Sequence, residues 1–564
     1  MNMNSLLIKA FAFTTLPGHI PFFLSMSFLL SCNPAKIEHD DGLSTITQDD
    51  LEQHVSMLAS DEFEGRKPFT KGEQKTITYL QEQFRILGLA PGNGDSFLQQ
   101  VPMVEITPTA DTTMTFTSTK GQISLRGFHD YIINTERTDS VMTWTHEDVV
   151  FAGFGIVAPE YNWNDYANLD VKNKIVLVLV NDPGFGSDDS THFKGNTMTY
   201  YGRWTYKYEE AARQGAKGCF VIHNTVPAGY PFAVLQNSWN SAHLYLDNRG
   251  KNIPFCEGVG WITKPAVEKL FRLNGLDFND QQTKARQRDF TGYSLDMQVT
   301  TSMKVDTRYD TSHNVVAMIK GSERPDEYII YSAHWDHLGI GKPDAEGDSI
   351  YNGAFDNASG TAGLLVVAKA FKNLKNPPHR SVVFLAVTAE EQGLWGSAYY
   401  AANPIYPLEK TVANINMDGI NPYGPMKDIV VVGRGQSELE EYLETEAALL
   451  SRVVKGETTP ERGYYFRSDH FNFAKVGVPA LYLSTGSDFI GKDANYGNQL
   501  KETYTQKYYH QPSDEYDTTR MNFEGGVDDL RLLFQVGKTL AFQKKWPTWK
   551  AGSEFKAIRE SDKK

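Results

Sequence analysis

Cysteine is nearly missing from this chain: 564 residues contain three, Cys32, Cys219 and Cys256. That scarcity excludes a disulfide-stapled scaffold and a cysteine-rich metal site. Long apolar runs are missing too. The most apolar stretch, residues 21–30, is about half of what a helix needs to cross a bilayer. No HExxH string occurs, which removes the helix-borne zinc motif of the zincins. Positive charge is in deficit: 55 Lys and Arg face 69 Asp and Glu, a formal net charge of −14 that argues against nucleic acid as a partner. Neither an internal repeat nor a low-complexity block interrupts the chain, so a solenoid is not expected.

A hydrophobic fraction of 40% with 12% aromatics describes a globular protein, and the length calls for two or three domains. Residues 1–31 carry Lys9 as their only charge and end in Leu29-Leu30-Ser31 before Cys32. This pattern reads as a lipoprotein-type export signal, with Cys32 as the lipid-bearing residue and residues 32–47 as a tether to the membrane surface. The expected location is the bacterial cell envelope, periplasmic or at the cell surface. Export permits a Cys219–Cys256 disulfide, and two buried thiols are the equal alternative.

Residues 50–88 read as helical, closed by Gly88. From about residue 147 to 302 short β-like runs alternate with loops rich in Gly, Pro, Asn and aromatics, the texture of a β-rich inserted domain. From residue 315 onward apolar strands alternate with amphipathic helices. That is the pattern of an α/β domain with a mostly parallel sheet covered by helices. The expected division is 48–140 with 303–545 as one discontinuous domain, 141–302 as the insert, and 546–564 as a charged, solvated tail.

Acidic and imidazole side chains recur where each strand gives way to its loop. His334 and Asp336 follow EYIIYSA, Glu390 and Glu391 follow SVVFLAV, and Asp418 follows VANINM. Asp356 lies in NGAFDNASG, before a helix that Ser359 is placed to cap, and His510 lies in the late loop YYHQPSDEYD. Residues at the carboxyl ends of strands in an α/β sheet converge although they are distant in sequence. Two His with several carboxylates suit zinc, and the set exceeds what one ion needs, which suggests two ions sharing a carboxylate. Adjacent residues such as Glu390 and Glu391 point in different directions, so the pair is suited to two tasks rather than one.

The strings SAHWDHLG, NGAFDNASGTAGLL, AVTAEEQGLWGS, NINMDGI and HQPSDEYD, in this order, resemble the M28 family of zinc peptidases. The segment GFGIVAPEYNWNDYANLDVKNKIVLVLVNDP with EEAARQGAKGCFVIHN is similar to a protease-associated (PA) domain. The resemblance implies two zinc ions per chain bridged by Asp356. His334 and Asp418 would complete one site, Glu391 and His510 the other. It makes Glu390 the general base, places Asp336 behind His334, and implies a cis peptide at Asp356–Asn357. Tyr465, with Tyr464 as the rival if the register slips, falls where the family can place a hydroxyl near the oxyanion. Ser468, Asp469 and His470 would shape the substrate pocket, and His337 reads as a loop residue. The implied activity is an aminopeptidase acting on peptides. A carboxypeptidase or dipeptidase is kept open by Arg467 and Arg462, and a glutaminyl cyclase or a non-enzymatic receptor on the same scaffold ranks below these.

Overall fold

The structure is a computed structural model that describes residues 41–239 and 241–561. The export signal, Cys32 and most of the tether lie outside these residues.

The long apolar runs become the middle of one sheet. Strands Arg380–Val387, Arg324–His334, Thr411–Asn416 and Ala480–Ser484 lie side by side in that order, all parallel. Arg380–Val387 and Thr411–Asn416 are buried at every position, as strands covered on both faces must be. Alternate residues feed two cores. Ile329, Tyr331 and Ala333 pack with helices Ser359–Lys372 and Glu524–Phe542, while Ile330 joins Val383, Leu385, Tyr400 and Phe473 on the other face. Antiparallel strands flank this parallel centre, Tyr293–Ile319 on one side and Asp428–Val431 on the other.

The expected helix over 50–88 is two helices, Gln48–Leu58 and Lys71–Ile86. Thr47 and Thr70 cap them by accepting the amides of Asp50 and Gly72. Between them a turn, Asp61–Arg66, places Gly65 at φ +64 against the carbonyls of Gly339 and Tyr351. A Cβ there would lie 2.6 Å from both oxygens, so only glycine fits. Ser359 does not cap its helix. Its hydroxyl donates to the Phe355 carbonyl, and Asn357 Oδ1 accepts the Gly360 amide instead.

A second, β-rich lobe has its own core, drawn from residues between Val104 and Val305. This core starts well ahead of residue 141, because strands Thr113–Ser118, Gly121–Arg126 and Tyr131–Asn134 pair inside the lobe. The two lobes share strands. Tyr293–Ile319 pairs with Val141–Phe151 near its start and with Arg380–Val387 near its end, and Leu98–Ala110 runs antiparallel beside it from residue 303 to 315. Cys219 and Cys256 are both buried and free, so the disulfide alternative falls away.

The end of the tether is packed, and the expectation of a solvated tail is corrected. Ile46, at the end of the tether, is fully buried and Leu43 packs beside it. Beyond residue 546 the segment is docked: Trp549 and Phe555 are buried, Trp549 Nε1 donates to the Gly477 carbonyl, and Arg559 donates to those of Leu408 and Thr411. Burial of two large aromatics outweighs the solvation of the surrounding lysines.

Candidate metal centre

Parallel register sets the site. His334 is level with Val387 on the neighbouring strand, and Asn416 on the other side is level with Ser332. Each chain then leaves the sheet at the same edge, carrying Asp336, Glu390–Glu391 and Asp418 into one loop layer. The backbone of that layer is fastened by side chains. Arg66, wholly buried, donates to the carbonyls of Leu58, Trp335, Asn352 and Gly353 at 2.5–2.9 Å. Asn357 donates to the Met417 carbonyl and accepts the Gly419 amide, which ties the Asp356 loop to the Asp418 loop. The Asp356–Asn357 peptide is cis.

Asp356 stands in the middle. Its Oδ1 lies 3.3 Å from His334 Nε2, which is also 3.3 Å from Asp418 Oδ1. Its Oδ2 lies 3.3 Å from His510 Nε2, which is 3.0 Å from Glu391 Oε2. The expected division, His334 with Asp418 and His510 with Glu391, is the one the distances describe. Glu390 turns the other way from Glu391 and brings Oε2 to 3.9 Å from His334 Nε2.

Asp336 does more than orient His334. Its backbone carbonyl accepts from His334 Nδ1 at 3.1 Å, and its carboxylate accepts the amides of Glu390 and Glu391 at 3.0 and 3.4 Å. One buried side chain thereby aims both glutamates. Asp514 does the same for the central carboxylate, accepting the amides of Phe355 and Asp356 at 3.2 Å.

His337, read as a loop residue, is fully buried and donates from Nδ1 to Glu391 Oε1 at 2.6 Å. With Asp356 and Glu391 it forms a second convergent donor group, and its Nε2 is buried without a partner. Tyr465 is also corrected. Its ring lies against His470, Phe466 and Phe555 in an aromatic cluster, and the acids bearing on its hydroxyl are Glu554 and Glu440. Tyr464 is exposed, with Arg467 over its ring. Tyrosines within reach of the carboxylates include Tyr509, stacked on His510, Tyr482, next to Asp418, and Tyr504, whose hydroxyl donates to Asp514. Ser468, Asp469 and His470 are buried. Ser468 donates to Asp418 Oδ2 at 2.6 Å, Asp469 accepts from Ser397, and His470 lies between Tyr465 and Tyr482.

So many charges in one place perturb one another. Burial works against the His334 cation, yet Glu390 and Asp418 outweigh it and push its pKa well up. Burial likewise opposes the His510 cation, while Glu391 and Asp356 raise it to about 10. Burial would raise Glu391, but the His510 charge beside it holds the carboxyl at about 2. Glu390 is driven well above the usual carboxylate range, first by burial and then by Asp418 and Glu391. Two neighbours in sequence thus differ in chemistry, Glu391 favouring its anion and Glu390 having a raised affinity for a proton. His334 with Asp356 and Asp418, and His337 with Asp356 and Glu391, are convergent donor groups of the kind that holds a first-row divalent metal, and His510 Nε2 adds a further nitrogen 3.0 Å from Glu391.

Sheet and donor set together define an α/β metal-binding protein. Residues 314–530 match Peptidase family M28, and this stretch carries every residue of the cluster; the resemblance read from the motifs is borne out there. Over 113 residues the chain is 38% identical to aminopeptidase NAALADL1 of Mus musculus, covering 19% of this chain and 14% of that protein. Over 264 residues it is 30% identical to leucine aminopeptidase 2 of Arthroderma otae, covering 43% of this chain and 50% of that protein. The chain therefore spans half or less of these curated relatives. An aminopeptidase from an Aneurinibacillus species has the same fold, with a TM-score of 0.51 and 18% identity over 90% of this chain and 97% of that one.

Proposed function

We propose that the protein is a zinc-dependent exopeptidase that removes amino acids from the N-terminus of peptides, with two zinc ions per chain. One observation carries the reading: Asp356 offers Oδ1 to the His334–Asp418 set and Oδ2 to the His510–Glu391 set. The M28 match over the same residues and the names of the relatives, which include a probable zinc metalloprotease of Pyrenophora teres, support it.

Zinc bound there supplies a Lewis acid and makes water acidic enough to ionise near neutral pH. Glu390 takes a proton from the attacking water and gives it to the leaving amine, a task suited to a carboxyl whose proton affinity is raised. Asp336 keeps Glu390 and Glu391 apart by holding both their amides. The surplus of carboxylates favours a free α-ammonium group over a C-terminal carboxylate at the centre, hence an aminopeptidase over a carboxypeptidase. Both donor sets are complete, which disfavours a one-zinc cyclase and a receptor that has lost catalysis. The second lobe is read as a PA-like domain bordering the cleft, and the chain as an exported lipoprotein anchored through Cys32. Among the described residues no helix is long and apolar enough to cross a membrane.

The test is a panel of free and N-acetylated peptides and aminoacyl chromogenic amides, with and without chelator. Cleavage confined to free N-termini and abolished by chelator is expected. Equal cleavage of blocked and free peptides rejects the aminopeptidase reading.

A further inference from the structure

Two arginines meet at the border of the lobes without a counter-charge. Arg203 precedes helix Trp204–Arg213 of the second lobe, and Arg467 follows the turn Tyr464–Phe466 of the other. Each lies within electrostatic reach of the other; Arg467 has its Cζ 5.8 Å from the ring centre of Tyr230, and Arg203 has its own 5.5 Å from that of Trp204. Among the described residues neither guanidinium has a carboxylate within ion-pair distance. The Arg203 guanidinium makes no hydrogen bond there, its Nε is buried without a partner, and the Arg467 guanidinium donates only from Nη2 to the Arg462 carbonyl. The acid nearest in influence, Glu457, accepts the Gly433 amide instead. Like charges held together and partly out of water call for an anion between them, and a guanidinium fork is matched to a carboxylate.

Arg467 of this pair also adjoins the metal centre. Arg467 is followed directly by Ser468, whose hydroxyl donates to Asp418 at 2.6 Å. Tyr509, stacked on His510 at 3.9 Å, lies within electrostatic reach of Arg467 as well as of Asp356, Glu391 and Glu390.

We propose that Arg203 and Arg467, one from each lobe, form a subsite that holds a carboxylate of the bound peptide. This rests on the peptidase reading above. It adds that the substrate is a peptide carrying a negative charge close to the scissile bond, either the α-carboxylate of a very short peptide or an acidic side chain.

Four peptides separate the sources: Ala-Ala against its C-terminal amide, and Ala-Glu-amide against Ala-Gln-amide. We expect kcat/KM to favour the carboxylate member of one pair by about tenfold or more. That ratio should fall toward one in Arg203→Ala and Arg467→Ala, with partial return in Arg203→Lys and Arg467→Lys. The ratio is the readout because misfolding or metal loss lowers both members alike. Calorimetric titration of the same peptides into the chelator-treated full chain gives a second readout that needs no turnover. Equal affinity and equal kcat/KM within both pairs overturns the subsite even if every peptide is cleaved, as does a preference that survives both alanine variants. Absence of cleavage with an arginine-dependent binding preference overturns the peptidase reading and leaves the subsite standing.

Discussion

At the end of the central sheet four carboxylates and three imidazoles converge, and in the second lobe Lys207 is buried with Asp165 and Asp182. Both clusters hold groups displaced from ordinary titration, among them Glu390 and Glu391 in the first and Lys207 in the second. They differ in where their lone pairs point. Asp182 spends its oxygens on the amides of Gly184 and Thr199 and on the Thr199 hydroxyl, and Asp165 accepts the Ile156 amide. These acids tie loops together and have little left to offer. At the sheet end, Asp356 and Glu391 present oxygens mainly to imidazole nitrogens, while Asp336 and Asp514 take up the backbone amides. Perturbed charge alone therefore does not mark a site; unspent donor atoms aimed at one place do.

The comparison breaks most visibly at Asp356. Asp356→Asn should lower bound zinc to well under half of its wild-type stoichiometry and take turnover below detection, read by metal analysis and peptide hydrolysis. Zinc content equal to wild type would mean that Asp356 bridges nothing. Glu390→Gln comes next: turnover is expected to drop by about 10² to 10⁴, with zinc content kept. Loss of metal together with activity would cancel the division between the two glutamates.

A smaller effect is expected at Arg66, which fastens the loop layer. Arg66→Met leaves four carbonyls without their donor and should cost about 3 kcal/mol or more in urea unfolding. An unchanged midpoint would show that the layer holds itself.

The second cluster supplies the smallest effect, one of pH. Burial lowers Lys207 to about 7 against its ordinary 10.5. Between those values the unfolded chain binds more protons than the folded one, so stability should rise with pH through that window. From pH 7 to 9 the gain is about 2 kcal/mol, and Lys207→Met should remove that slope. A wild-type chain without that slope would mean that Lys207 stays charged in the fold.

The sheet-end residues could be read in the sequence because each follows an apolar run that can only be a buried strand. His334, Glu390, Glu391 and Asp418 are fixed by that rule together with parallel register. Asp514, His337 and Tyr482 could not be read so, since their partners depend on how loops fold back. Tyr465 was placed by motif, but the left-handed Gly463 and the short turn after it send its ring into the aromatic cluster. The docked residues past 546 were masked by lysines, although Trp549 and Phe555 were the signal that could have shown burial. The early boundary of the second lobe follows from strand pairing, which a linear change of composition at residue 141 does not reveal.

One strand has a consequence for how such a chain can be assembled or taken apart. Leu98–Ala110 and the middle of Tyr293–Ile319 are matched residue for residue, from Leu98 opposite Val315 out to Ala110 opposite Met303. The 192 residues between, 111–302, thus enter and leave at the open tip of a hairpin. The tip is a splice point: a short turn joining Ala110 to Met303 would close the ribbon without altering the register that carries the sheet behind it.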